Sequence, residues 1–125
     1  MAQRARVFST DDLLWYQPPG HDRAYSKMLM EPARDSKVID MRLSRLPPGG
    51  HIDEHTHERA EHVYYILQGH AAAVLDGETH HVTANSVLYI PPGVRHGFDS
   101  TGNEDLLMTV VSVPADDMPQ VAMTR

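Results

Sequence analysis

Cysteine is absent from this 125-residue chain, which excludes a disulfide framework and any thiolate metal site and leaves the redox compartment undecided. Basic residues are in deficit. Eleven Lys and Arg stand against 17 Asp and Glu, for a formal charge of −6, so the footprint of a nucleic-acid binder is missing. No apolar run approaches the ~18 residues that cross a bilayer as a helix, and Met1 to Val7 lacks the apolar centre of a secretory signal. The expectation is a cytoplasmic protein with neither nucleic acid nor membrane as a partner. A chain of this length forms one domain and buries about two thirds of its unfolded surface.

Long helical periodicity is missing too. In its place stand short runs of β-formers cut by turn residues. Ile39, Met41 and Leu43 alternate with Asp40, Arg42 and Ser44, which reads as a half-buried strand. Pro47 to Gly50 turn the chain. His62 to Leu67 is rich in β-branched and aromatic residues and stops at Gly69. Asp76-Gly77 is a strong hairpin signal between Ala71–Leu75 and Thr79–Thr83. Val87–Ile90 ends at Pro91-Pro92-Gly93, Val94–Phe98 follows, and Leu106–Val113 is the last apolar run. Seven or more short strands without a credible long helix indicate an all-β antiparallel sandwich or barrel. Residues 1–36 read as a pattern-poor arm, 37–113 as the barrel and 114–125 as a weakly ordered tail.

Histidine is the residue in excess. Of nine, His51, His55, His57 and His62 crowd into one short stretch, and His96 lies beyond the hairpin. Residues two apart on a strand share a face. A His-x-His pair with further imidazoles on neighbouring strands is how a sheet grips a divalent ion.

Gly49, five residues, His55-x-His57 and a strand closed by Gly69 resemble the first motif of the cupins. Pro91-x-Gly93 followed by His96 resembles the second, and Tyr89 to Phe98 as a whole is close to the family's usual wording. The resemblance covers residues 38 to 113. It implies a jelly-roll β-barrel holding one divalent transition metal (manganese, iron, nickel, copper or zinc) with His55, His57 and His96 as ligands. The family usually supplies a glutamate next, and Glu61 stands at an allowed spacing. Counting back from Gly69, however, His62 takes the inward position, and a period of two forbids both from facing in. His62 is therefore preferred as fourth ligand, which leaves Glu61 as a candidate base at the mouth. Four neutral imidazoles leave the full charge of the ion uncompensated and make it the stronger Lewis acid. Asn85 replaces the usual turn glycine and tolerates positive φ.

On the same face rule, Tyr64 and Ile66 share the side of His62, and Phe98 that of His96. With Met41, Leu43, Met108 and Val110 they are the expected wall of an apolar substrate pocket. The plain alternative for each is barrel core. His51 reads as a turn or rim residue and His70, His80 and His81 as surface residues flanking the hairpin, while His21 follows a Pro-Pro-Gly break and carries no reading. Three functions fit a small-molecule substrate at such a site: a dioxygenase-like oxidoreductase chelating an enolate or diketone; a non-redox isomerase, cyclase or lyase; and metal-dependent binding without catalysis. Tyr64 is the one inward acid–base candidate that the register supports, and phenols are weak bases at neutral pH. That scarcity favours oxygenase chemistry. Small cupins pair through their sheets or exchange N-terminal strands, so the resemblance also implies a homodimer with residues 1–36 as the arm.

Overall fold

Asp76 and Gly77 both adopt positive φ, +52° and +81°, the pairing a two-residue type I′ hairpin demands. The flanking strands meet in register from His70 opposite Thr83 to Leu75 opposite Glu78. Similar turns divide the whole chain, here a computed structural model describing residues 4–32 and 34–119. Ten strands result: β1 His21–Asp22, β2 Tyr25–Met30, β3 Asp40–Leu46, β4 His51–His55, β5 Glu61–Gln68, β6 His70–Leu75, β7 Glu78–Thr83, β8 Val87–Ile90, β9 His96–Ser100 and β10 Leu106–Val113. They form two five-stranded antiparallel sheets, in the orders β1-β4-β9-β6-β7 and β2-β3-β10-β5-β8. This is the jelly-roll β-barrel.

Strand register stacks the inward side chains in layers. Leu46 lies opposite Leu106 at one end. Ser44, Met108 and Ile66 make the next row, Arg42, Val110, Tyr64 and Leu88 the third, and Asp40, Ser112, His62 and Ile90 the fourth. On the facing sheet, Phe98 pairs with Ile52 and Ala73, and His96 pairs with His55 and Leu75. The barrel thus grades from a closed apolar floor, where Leu46, Ile66, Leu106 and Met108 are fully buried, to a layer of histidines. Each large floor side chain contributes about 1.5–3 kcal/mol by leaving water.

Two sequence expectations change. The phase of β3 is reversed: Asp40, Arg42 and Ser44 are buried, while Met41 and Leu43 sit half-buried on the outer face. The alternation fixed the period of this strand but not which set faces in, and the polar set faces in because its members satisfy one another. Arg42 Nε and Nη2 donate to the two carboxylate oxygens of Asp40 at 2.8 and 2.9 Å, and the Ser26 and Ser44 hydroxyls meet at 3.3 Å. The expectation of edge strands in the N-terminal segment agrees with β1 and β2, which pair with β4 and β3 at the edges of the two sheets. The start of the expected loose tail is packed, with Ala115 fully buried in a 3₁₀ turn over Ala115–Asp117; residues 120–125 lie outside the described residues.

Gly69, which ends β5, has φ +90°, and a Cβ there would lie 2.7 Å from the Asp105 carbonyl oxygen and 2.9 Å from Leu106 Cα. Gly77 has a similar φ of +81° but nothing within 4 Å. Gly77→Ala should therefore lose only the strain of a left-handed backbone, about 1 kcal/mol, whereas Gly69→Ala should lose roughly 3 kcal/mol or more because backbone must move as well. Urea denaturation of the two variants checks this, and equal losses would show that the β5–β6 crossing is looser than described.

Candidate metal centre

His55 closes β4, His57 follows in the loop, His62 is the second residue of β5, and His96 opens β9. The antiparallel pairing of β4 and β9 sets His55 opposite His96, with ring centroids 4.3 Å apart. His57 lies 5.2 Å from His55 and 4.9 Å from His62, and His62 lies 5.1 Å from His96. One ring nitrogen from each of His55, His57 and His96 falls within 4.8 Å of the others. His62 adjoins that trio edge to face and is 2% exposed. Its neighbour Glu61 points to the outer surface, where its Oε1 accepts from Tyr89 Oη at 3.2 Å. A base at the cavity mouth is thereby ruled out for Glu61, by the alternation of the strand.

The rings are held from behind. His55 Nδ1 meets the Asp53 carbonyl at 2.8 Å and His96 Nδ1 the Val94 carbonyl at 2.9 Å. A carbonyl only accepts, so both rings carry an N–H on Nδ1, and Nε2 is the nitrogen left to face the cluster. His62 Nδ1 shares a 2.6 Å hydrogen bond with Ser112 Oγ. Nε2 of His62 and Nε2 of His96 are buried with no hydrogen-bond partner. Orphaned polar atoms at the centre of a barrel are costly, and inward lone pairs of imidazole are the donors that manganese, iron, nickel, copper and zinc accept. The residues present fit a divalent transition metal.

Burial, reinforced by the neighbouring rings, pushes His62 down to about 3, and burial likewise pushes His96 down to about 4. His57 is lowered by burial first and by His55 second.

Beside the cluster opens a cavity of about 270 Å³, with His55 and His57 at its edge. Tyr64 and Val110 line it, as the sequence predicted. Ile66, Phe98 and Met108 belong instead to the packed floor, Phe98 lying 4.8 Å from the Tyr64 ring. Met41 and Leu43 do not reach the cavity, because β3 has the opposite phase. Tyr16, His21, Ser26, Arg42 and Ser44 take their place, with Met118 and Pro119. The only signal for the β3 members was the polar half of its alternation; Tyr16, His21, Met118 and Pro119 come from segments without a pattern. Burial raises the Tyr64 phenol well above its ordinary value, so Tyr64 can donate a hydrogen bond but is no base at neutral pH. Burial lowers His21, whose Nδ1 meets the Pro19 carbonyl at 2.9 Å. It is a neutral imidazole at the mouth.

Rings that resist protonation when folded, but take protons near pH 6.5 when unfolded, make the unfolded chain bind more protons below that pH. The metal-free protein should therefore keep this stability at pH 7 and lose it as pH falls from about 6.5 toward about 4. Urea denaturation across this window checks it, with a shallower slope expected in His96→Gln. Stability that stays level down to about pH 5 would mean that the rings protonate freely in place.

The family model for the cupin domain matches residues 42–112. The chain is 35% identical over 81 residues to the polyketide synthase CurC of Streptomyces cyaneus, covering 65% of this chain and 53% of that one. It thus spans about half the length of that curated relative. It is 30% identical over 86 residues to the oxalate-binding protein of Thermotoga maritima, covering 69% of this chain and 71% of that one. Among solved structures, the polyketide cyclase RemF of Streptomyces resistomycificus superposes with a TM-score of 0.79 at 22% identity, over 98% of this chain and 89% of that one, a likeness of fold. With all four clustered histidines inside the matched span, the chain belongs to the cupin family.

Proposed function

We propose that this cupin is a metal-dependent enzyme acting on a small organic compound with two chelating oxygens, such as an enolisable dicarbonyl, and that its chemistry is proton transfer leading to isomerisation, cyclisation or cleavage. The observation that carries the reading is the pair of buried, unpartnered Nε2 atoms of His62 and His96 packed against His55 and His57, the two rings that line a cavity shared with His21 and Tyr64. His55, His57, His96 and, as fourth ligand, His62 would hold the ion. The chemistry such an ion would supply is Lewis-acid polarisation of a substrate carbonyl, which would acidify the adjacent C–H.

The remaining steps fall to the chain. His21, kept neutral at the mouth, is the candidate base for that proton. Tyr64 and the Ser26–Ser44 pair present hydroxyls to substrate oxygens. Ile52, Val110, Met118 and Pro119 exclude water, which strengthens each polar contact. The scarcity of inward acid–base residues favoured dioxygenation in the sequence, and His21 at the cavity removes that premise. The relative CurC, named a polyketide synthase, supports chemistry on poly-carbonyl chains. Dioxygenation remains the second reading, favoured by a donor group that contains no carboxylate among the described residues.

His62→Ala should weaken metal retention more than the roughly 10–100-fold typical of losing a ligand's hydrogen-bond partner, and Glu61→Ala should leave it unchanged. Elemental analysis and chelator competition decide, and the reverse order would assign the fourth position to Glu61. In heavy water without oxygen, the metal-loaded protein should speed deuterium exchange at the central carbon of a β-diketone, and His21→Gln should slow that exchange by about 10²-fold or more. Oxygen uptake in step with substrate loss would move the protein to the dioxygenases. Tight binding with neither exchange nor uptake would make it a binding protein.

A further inference from the structure

His57 stands apart from the other three rings. His55, His62 and His96 lie on strands, and their ring partners are the carbonyls of Asp53 and Val94 and the hydroxyl of Ser112. His57 lies past the end of β4. Its carbonyl accepts from Gly93 N at 2.8 Å, which fixes the backbone and leaves the ring free to turn. The ring itself lies against Asp117, whose backbone and carboxylate both act on it electrostatically, beyond the last strand and outside the matched cupin span.

We infer that residues Ala115 to Pro119 form a strap that orients the His57 ring and walls the cavity, with Asp117 as its positioning residue. Three contacts hold the strap. Ala115 N donates to the Val38 carbonyl at 2.9 Å, and Ala115 is fully buried. Asp117 Oδ2 accepts from both Arg59 N and Ala60 N, at 2.8 and 2.9 Å, in the loop that joins His57 to His62. Arg42 Nη2 donates to the Pro119 carbonyl at 2.8 Å. The same residue therefore locks the loop between two candidate ligands with its carboxylate and aims one of them with its backbone. Met118 and Pro119, next in the chain, close the side of the cavity. Ala60 is fully buried, so removing the Asp117 carboxylate takes the acceptor from its N–H and the loop must open to water. Metal grip and substrate enclosure are thus coupled through one side chain.

The inference rests on the metal-centre reading, and Co(II) serves as the probe. Asp117→Ala should weaken Co(II) binding by about 10–100-fold and alter its visible absorption, which reports ligand geometry. Asp117→Asn, whose amide oxygen still accepts from two N–H groups, should restore most of both. Asp117→Glu keeps the charge but displaces the strap, and should shift the spectrum in a folded protein even if Asp117→Ala does not fold. Asp116→Asn should change neither. In the metal-free protein, the side-chain ¹⁵N resonances of His57 should move in Asp117→Glu while those of His55 stay. A wild-type Co(II) spectrum and unmoved His57 resonances in Asp117→Glu would overturn the strap and leave the metal centre standing. Failure of the wild type to bind Co(II), with His57 moved by Asp117→Glu, would overturn the metal centre and keep the strap.

Discussion

Arg42 is the point at which the interior of this barrel is tied together. Its guanidinium spans both carboxylate oxygens of Asp40, donates to Tyr16 Oη at 2.9 Å and to the Pro119 carbonyl at 2.8 Å. A buried ion pair of this kind is near break-even when intact, but removing one partner costs about 3–5 kcal/mol. The pair therefore adds little stability of its own, and its importance lies in what it fixes. The segment before β1, the third inward layer and the strap after β10 all meet at one rigid planar group. Tyr16 in turn reaches Met28 Sδ at 3.3 Å on β2. A cavity can persist here because polar pairs with defined geometry hold its wall apart, where an apolar wall would have repacked to fill it.

The histidine layer follows a different logic. Among the described residues no carboxylate forms an ion pair with these rings, and burial holds His57, His62 and His96 below the ordinary imidazole range. Nδ1 of His55 and of His96 is occupied by a carbonyl, and Nε2 remains. Such a layer is unstable as an empty polar core and self-consistent as a set of donors. Register is what assembles it: a one-residue slip of β9 against β4, or of β5 against β10, would turn His96 or His62 to the outside.

Where sequence pattern coincides with local chemistry, the structure was legible. The Asp76-Gly77 hairpin, the positive φ of Asn85 and the inward phase expected for β5 follow from turn propensity and a period of two, whereas the His-x-His pair meets His96 through a register shift in β4 and a loop position for His57. Strand phase in β3 was not legible, because alternation has two solutions, and the choice depended on Arg42 finding Asp40 two residues away together with Tyr16 and Pro119 from distant parts of the chain. Nor was the strap: the sequence from Pro114 onward carries no periodicity, and residues 115–119 are held by tertiary hydrogen bonds such as those from Arg59 N and Ala60 N to Asp117. His21 was overlooked for the same reason. It sits in a two-residue strand whose pairing with β4, rather than its own composition, brings it to the cavity.

These placements bear on what the cavity can stabilise. Asp40 neutralises Arg42, so the wall offers hydrogen bonds but no free positive charge, and it is no trap for a substrate that arrives as a strong anion. Negative charge developing on a substrate would be favoured at one end only, where imidazole lone pairs would hold a cation. A neutral molecule that becomes an anion by losing a proton beside that end suits such a cavity best, because the stabilising interaction then grows as the reaction proceeds instead of being used up in binding. On the proposed reading, the neutral wall and the histidine layer have complementary roles. The wall selects an uncharged, oxygen-bearing ground state, and the histidine layer favours the charge that appears on the way to the transition state.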